Sequence, residues 1–386
     1  MVNRMSTLKG AKWVLNDLKK QGYQAYIVGG AVRDHLLRIP LTDIDITTNA
    51  KPHEVSKIFR TKPTGVKYGT VTVLMNDETY EVTTYRIDGD YIDGRHPDNV
   101  TFSETAEEDV KRRDFTINGI LMTEKNEIID YVGGQEDLKN KLIRTIGNPI
   151  DRFNEDALRM MRAFYFQSKL GFQIDAETRD AISIMRFKLK EIAMERIMAE
   201  LIKMLKGEHV RRALKSMITT GVHQVLPGLE KGILYVEQLD EIPFVDAFFT
   251  LCFTLHGSIP SEWPFSNKHR NRYEVASKLA KDHDHFDAFT LYTYGLDLCL
   301  LANRVNVMLK KSRNLKNQIE KTYENLPIQS DLDLKLRASD ILKLTDKKAG
   351  AWLKNLQKEM VIEVLNRRLK NDKEVLEAYV LQNLKG

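Results

Sequence analysis

The stretch that decides the fold lies between residues 26 and 46. Tyr26-Ile27-Val28 runs into Gly29-Gly30-Ala31-Val32-Arg33-Asp34, and Asp43-Ile44-Asp45-Ile46 follows. The apolar triplet predicts a strand, and the glycine pair lets the backbone approach a phosphate closely. A helix opening at Ala31 would aim free N–H groups and the positive end of its dipole at that phosphate. In a strand, side chains two positions apart face the same way, which puts Asp43 and Asp45 on one face about 6.6 Å apart. Two carboxylates beside a phosphate cradle have the chemistry of a Mg²⁺ site for nucleotidyl transfer. Alone, a glycine pair is more often a tight turn and Asp-x-Asp a surface pair. Their spacing, with Arg33 in reach of a phosphate, favours nucleotide binding.

Downstream of this stretch, Val71–Leu74 and Tyr80–Tyr85 are rich in β-branched and aromatic residues, and Asn76-Asp77 predicts a turn between them. Glu81, Thr83 and Tyr85 share one face of the second strand. Glu81 is then either a third carboxylate next to the metal site or an exposed edge charge. Asp88 to Val100, with Gly89, Gly94 and Pro97, reads as a loop, and Glu127–Val132 as a short strand closed by Gly133-Gly134. From Arg152 onward the pattern is helical, with breaks at Gly171, Gly207, Gly221, Pro227-Gly228 and Gly257 to Pro264. The stripe Met194, Ile197, Met198, Leu201, Ile202 and Leu205 reads as a core helix face. The fold class is therefore α+β, an N-terminal mixed sheet flanked by helices followed by an all-α remainder.

Two further stretches carry chemistry. In Lys111-Arg112-Arg113-Asp114-Phe115-Thr116-Ile117-Asn118-Gly119, the Arg113 guanidinium can clamp a phosphate and the Asp114 carboxylate can accept from a ribose hydroxyl. The plainer reading is a helix start with charges in its first turn. In Glu155-Asp156-Ala157-Leu158-Arg159-Met160-Met161-Arg162, a continuous helix would set Asp156 and Arg159 side by side. Cytosine shows a donor at N4 beside an acceptor at N3, and adenine a donor at N6 beside an acceptor at N1. A carboxylate next to a guanidinium matches both edges, whereas uracil and guanine present the reverse. Without the Gly29-Gly30 and Asp43-x-Asp45 motif this pair would read as a surface salt bridge.

The chain has 386 residues, 42% apolar and 29% charged, enough for more than one folded unit and unlike a disordered chain. A net charge of +5 permits an anionic partner. Cys252 and Cys299 form no metal-ligand spacing and read as core thiols in a reducing compartment. The basic, amphipathic N-terminus lacks a signal-peptide core, and the apolar run Phe244–Leu255 is too short to span a bilayer; a cytoplasmic protein is expected. Asp282-His283-Asp284-His285 invites an HD-phosphohydrolase reading, but no upstream histidine and downstream aspartate complete it.

GGAVRD with DID, PTGVKYGTVTV (63–73), EVTTYR (81–86), RRDFTINGI (112–120), DYVGG (130–134), EDALRMMRAF (155–164) and ERIMAEL (195–201) occur in this order. In them the chain resembles the bacterial CCA-adding enzymes, class II tRNA nucleotidyltransferases with a DNA polymerase beta-like head. The resemblance covers roughly the first half of the chain; the rest matches only in helical character. It implies a head (residues 1–145), a neck (146–205), a body (206–268) and a tRNA-binding tail (269–386). It implies that Asp43 and Asp45 hold catalytic Mg²⁺, and that Gly29, Gly30 and Arg33 hold the triphosphate. Arg113 and Asp114 would contact phosphate and ribose. Asp156 and Arg159 would template CTP and then ATP, with Arg162 nearby. The loop 88–100 would be the lever for the change of nucleotide. The partners implied are tRNA, CTP and ATP, with oligomeric state left open.

Where family members often carry a further arginine, this chain has Tyr165, which by helical rotation points away from Asp156 and packs. Residues 63–73 lack the basic run of a bacterial poly(A) polymerase. A CC- or A-adding specialist would share most of these motifs. Intact Asp43 and Asp45 argue against a non-catalytic RNA-binding protein, since a pure binder has no need of two carboxylates repelling phosphate.

Overall fold

The computed structural model describes residues 7–75, 77–88, 100–345 and 347–384. The chain forms two compact units, Met1–Pro227 with Glu262–Pro264, and Gly228–Ser261 with Phe265–Gly386. The expected four-part division is finer than these two units.

The first unit opens with helix α1 (Leu8–Lys20), whose Thr7 side chain caps Gly10 N–H. The strands follow as β1 (Ala25–Val28), β2 (Asp45–Thr48), β3 (Thr61–Gly65), β4 (Thr70–Met75) and β5 (Glu78–Thr84). Short strands β6 (Arg86–Asp88) and β7 (Val100–Phe102) pair with each other, and β8 (Ile120–Met122) and β9 (Ile128–Asp130) complete the set. The main sheet has the order β3-β4-β5-β2-β1-β8-β9. Among the described residues its one parallel pair is β2 with β5, and the other neighbours are antiparallel. Ile27, Ile46, Val71, Val73, Tyr80 and Val82 are buried on one face of the sheet, while Val28 and Leu121 are buried on the other, the face that also carries Asp45 and Glu81. The expected strands at 71–74, 80–85 and 127–132 are β4, β5 and β9, and Asp77 turns between the first two with φ +67°. The expected loop 88–100 begins and ends inside β6 and β7; residues 89–99 lie outside the described residues.

Helices α2 (Gly30–Leu36), α3 (Pro52–Ile58), α4 (Ala106–Lys111) and α5 (Gly134–Asn140) flank the sheet. Helices α6 (Pro149–Glu155), α7 (Leu158–Leu170), α8 (Ala176–Met185), α9 (Met194–Leu205) and α10 (Val210–Thr219) follow, with a two-residue strand, Gln173–Ile174, paired to Leu142–Ile143. The buried face of α9 is Ile197, Glu200, Leu201, Met204 and Leu205, rotated from the expected stripe, so that Met194, Met198 and Ile202 are half-buried. A glutamate sits in that face because Lys203 pairs with it at 2.8 Å and the Arg162 guanidinium lies 3.9 Å away.

The second unit is helical. Val245–His256 is buried along almost its whole length, and Ala288–Met308 is interrupted at Gly295, whose φ of +78° no helix accommodates. Cys252 and Cys299 are buried free thiols. No helix among the described residues is long and apolar enough to cross a membrane.

Candidate active site

The parallel pairing of β2 with β5 places Asp45 directly opposite Glu81. Glu81 in turn faces Thr72 on β4, and Thr72 faces Lys62 on β3. This row crosses the sheet and lines one cavity of about 560 Å³, together with Asp43, Thr64, Leu74 and Thr79. Asp43 lies two residues before β2 rather than inside a strand, yet it opens onto the same cavity as Asp45. Because β5 is an interior strand, Glu81 is not an edge charge.

The electrostatics follow from this crowding. Withdrawal from bulk water raises the Asp45 pKa, the Arg113 charge opposes the rise and the Asp43 charge adds to it. Glu81 is raised for the same first reason, with Asp45 and Asp43 contributing. Among the described residues no three His, Cys, Asp or Glu side chains are gathered tightly enough to enclose an ion. The row is instead an open, one-sided set of carboxylate oxygens. That suits a hard divalent cation, which keeps part of its water and shares its shell with substrate phosphates.

On the other side of Asp45 lies the glycine turn. Val28 pairs with Asp45, and the chain then turns at Gly29 with φ +74° and ψ −134°, a conformation that favours glycine. A Cβ at Gly29 would sit 3.4 Å from Arg113 Nη1, and one at Gly30 would sit 3.5 Å from Arg33 Nη2. Two guanidinium groups therefore flank bare backbone at the start of α2. Arg113 donates to Asp109 at 3.1 Å, while its buried Nε–H has no hydrogen-bond partner among the described residues. Asp109 is buried; burial works to raise its pKa, but Arg113 and Arg112 outweigh this and hold it low.

Arg33 is also buried. It donates to Asp34 at 2.7 Å and to Asn118 Oδ1 at 2.5 Å. Asn118 Nδ2 donates to Asp114 Oδ1, and Arg162 Nε donates to Asp114 Oδ2 at 2.8 Å. The guanidinium carbons of Arg33 and Arg162 lie 5.1 and 5.3 Å from the ring centre of Phe166. Burial works to raise the Asp114 pKa, but Arg162, Asn118 and the Phe115 N–H outweigh it and bring it down to about 2. This depressed acid contributes stability that is present above pH 3.8, its ordinary value, and is lost as pH falls toward 2. Asp114→Asn would strand the Arg162 charge. Its expected cost at neutral pH is about 3 kcal/mol, read from urea unfolding of the variant against the parent.

Asp156 and Arg159 do not share one helix. The chain breaks between α6 and α7, and Asp156 stands in the break with extended backbone. Its Oδ1 accepts from Leu158 N–H at 3.0 Å and its Oδ2 from Arg196 Nη2 at 2.9 Å. Asp156 thus caps α7, the role its short carboxylate favours. Arg159 is buried and donates to Glu155 and to the Arg152 and Arg112 carbonyls. Tyr165 packs with its ring 4.9 Å from that of Phe166.

Asn118, Arg152, Phe166, Arg196 and Glu200 join the site without having been expected there. Arg152 donates to the carbonyls of Arg112 and Arg113, which ties the start of α6 to that turn. All but Arg152 and Phe166 stand inside motif stretches, so their positions were visible although their partners were not.

Comparison with known proteins bears on this site directly. Residues 25–144 match the family model of the poly A polymerase head domain, and residues 247–380 match that of tRNA nucleotidyltransferase domain 2. The CCA-adding enzyme of Bacillus cytotoxicus is 39% identical, over 97% of this chain and 98% of that protein. That of Bacillus subtilis is 37% identical, over 95% and 96%. The chain belongs to the CCA-adding enzyme family. The crystal structure of the Bacillus stearothermophilus CCA-adding enzyme in complex with CTP superposes with a TM-score of 0.87 at 33% identity, covering 99% of this chain and 98% of that one. A Thermotoga maritima CCA-adding enzyme complexed with tRNA, 17% identical with a TM-score of 0.67, shares the fold. The family's head domain is the sheet that carries the acidic row.

Proposed function

We propose that this chain adds C, C and A to the 3′ end of tRNA, using CTP and ATP and no nucleic-acid template. The observation that carries this is the acidic row beside the glycine turn. Glu81 and a stretch of bare glycine backbone, flanked by two guanidiniums, lie on either side of Asp45. Full-length similarity to CCA-adding enzymes supports this over poly(A) synthesis. In this reading Gly29, Gly30, Arg33 and Arg113 hold the triphosphate and Asp114 the ribose, with Arg162 holding Asp114 in place. Asp43 and Asp45 would hold Mg²⁺, which supplies charge neutralisation at the phosphates. The 3′-oxygen of the tRNA forms a bond to the α-phosphorus, the bond from that phosphorus to the bridging oxygen breaks, and pyrophosphate leaves. Glu81, directly opposite Asp45 across β2 and β5, takes the hydroxyl proton. The rate then rises with pH through the Glu81 pKa, and Glu81→Gln is expected to lower kcat by roughly 10²- to 10⁴-fold with little change in KM for CTP. A variant with unchanged kcat would remove Glu81 from this role.

Asp156 and Arg159 read the base edge, and the loop 88–100 supplies the lever between CTP and ATP. Deleting 88–100 is expected to leave C addition and stop A addition; loss of both would make the segment structural. The expected head, neck, body and tail, with the basic tail on tRNA and a cytoplasmic setting, belong to the same reading. The decisive experiment is the product sequence from one tRNA lacking its 3′ end, incubated with all four nucleotides. Products that do not end in CCA overturn the proposal.

A further inference from the structure

We infer that the wall formed by Lys62, Thr64, Thr72 and Thr79 on β3–β5 is the binding subsite for the 3′-terminal ribose and phosphate of the tRNA primer, an inference that rests on the proposed reaction. The argument begins with sides. In-line displacement needs the attacking oxygen and the leaving group on opposite sides of the phosphorus. The sheet gives Asp45 two unlike flanks. On the β1 flank stand Val28 and the glycine turn with its two guanidiniums, the place for the departing phosphates. On the β5 flank the cavity runs outward from Glu81 to Thr72 and Lys62, and the primer hydroxyl has to arrive there.

The chemistry of this wall fits that substrate. Lys62 is exposed at the far end of the row and is one flexible cation for one phosphate. Thr64 and Thr72 share a hydrogen bond of 2.9 Å, and together with Thr79 they offer hydroxyls that can donate to or accept from ribose. Leu74 is an apolar residue against which a sugar face can rest. Among the described residues lining it there is no guanidinium, amide or aromatic ring, the groups that read or stack a base. Such indifference is what this position requires. The terminal base differs between the first addition and the later ones, so a primer subsite that read bases would stall the sequence. Selection is confined to the incoming nucleotide, and the primer is held by backbone alone.

The test uses the full chain with two primers, a tRNA lacking CCA and the same tRNA ending in C. Lys62→Ala, and Thr64→Val combined with Thr72→Val, are made separately; Lys62 and Thr64 are exposed, and circular dichroism checks the fold. Expected is a rise of about tenfold in KM for both primers, equal between them, with KM for CTP unchanged. For Lys62→Ala the slope of log KM for tRNA against log salt should also fall by roughly 1. Unchanged primer KM, a change in KM for CTP instead, or unequal effects on the two primers would overturn the inference. Wild-type protein in the same assay separates the two levels. If it fails to add C, C and A, the proposed function falls; if it adds them and the variants match it, only the primer subsite falls.

Discussion

Replacing Asp43 or Asp45 by asparagine is expected to reduce CTP incorporation on the order of 10³-fold or more, without loss of fold. The size follows from the several kcal/mol that charge neutralisation contributes at transferring phosphates. The stability should move the other way. Asp45 and Glu81 have pKa values raised by the fold, so their charged forms are disfavoured there. They contribute stability below their ordinary pKa and lose it as pH rises through the raised value. In the absence of divalent cation, Asp45→Asn should therefore be as stable as the parent or more so at neutral pH. Added Mg²⁺ should raise the melting temperature of the parent but not of the Asp43→Asn, Asp45→Asn double variant. Retained activity in either single variant, or equal stabilisation by Mg²⁺ in parent and double variant, would dismiss the metal role.

The second large effect concerns choice of base. Removing both Asp156 and Arg159 by alanine substitution should let UTP and GTP be incorporated within about tenfold of CTP, from a parent that discriminates by roughly 10³-fold or more. Each residue retains capacity for a base in its present setting. A carboxylate has about four lone-pair positions, of which Asp156 uses two. Arg159 commits three of its five N–H groups. Because Arg159 also holds the Arg112 carbonyl, melting temperature is measured alongside, and Asp156→Asn serves as the milder variant that keeps a cap on α7. If the double variant still prefers CTP and ATP, base reading lies elsewhere.

Much of this head could be read from the chain. Gly29-Gly30, Asp45, β4 and β5 fall where spacing and β-branched content put them, because local geometry and the alternation of faces govern those residues. What escaped is decided by distant partners. Glu155 to Met161 are mostly good helix formers, so propensity predicts a continuous helix through Asp156. The break exists because Asp156 satisfies Leu158 N–H and meets Arg196, forty positions away. The buried Glu200 similarly depends on Lys203 and Arg162, and no periodicity of apolar residues could place a glutamate in that face. The second unit offered helical pattern and no chemistry to read.

The opposition of Asp45 and Glu81 across β2 and β5 has a consequence for how this enzyme can be damaged or redesigned. The proposed catalytic arrangement is stored as a frame shift-sensitive alignment, in which even and odd positions mean outside and inside. A single residue inserted within β5 ahead of Glu81 would leave every side chain named above present in the protein. It would also send the glutamate into the space now filled by Tyr80 or Val82, and one of those apolar groups into the cavity. Parity along seven residues thus matters to the site as much as the identity of any one of them.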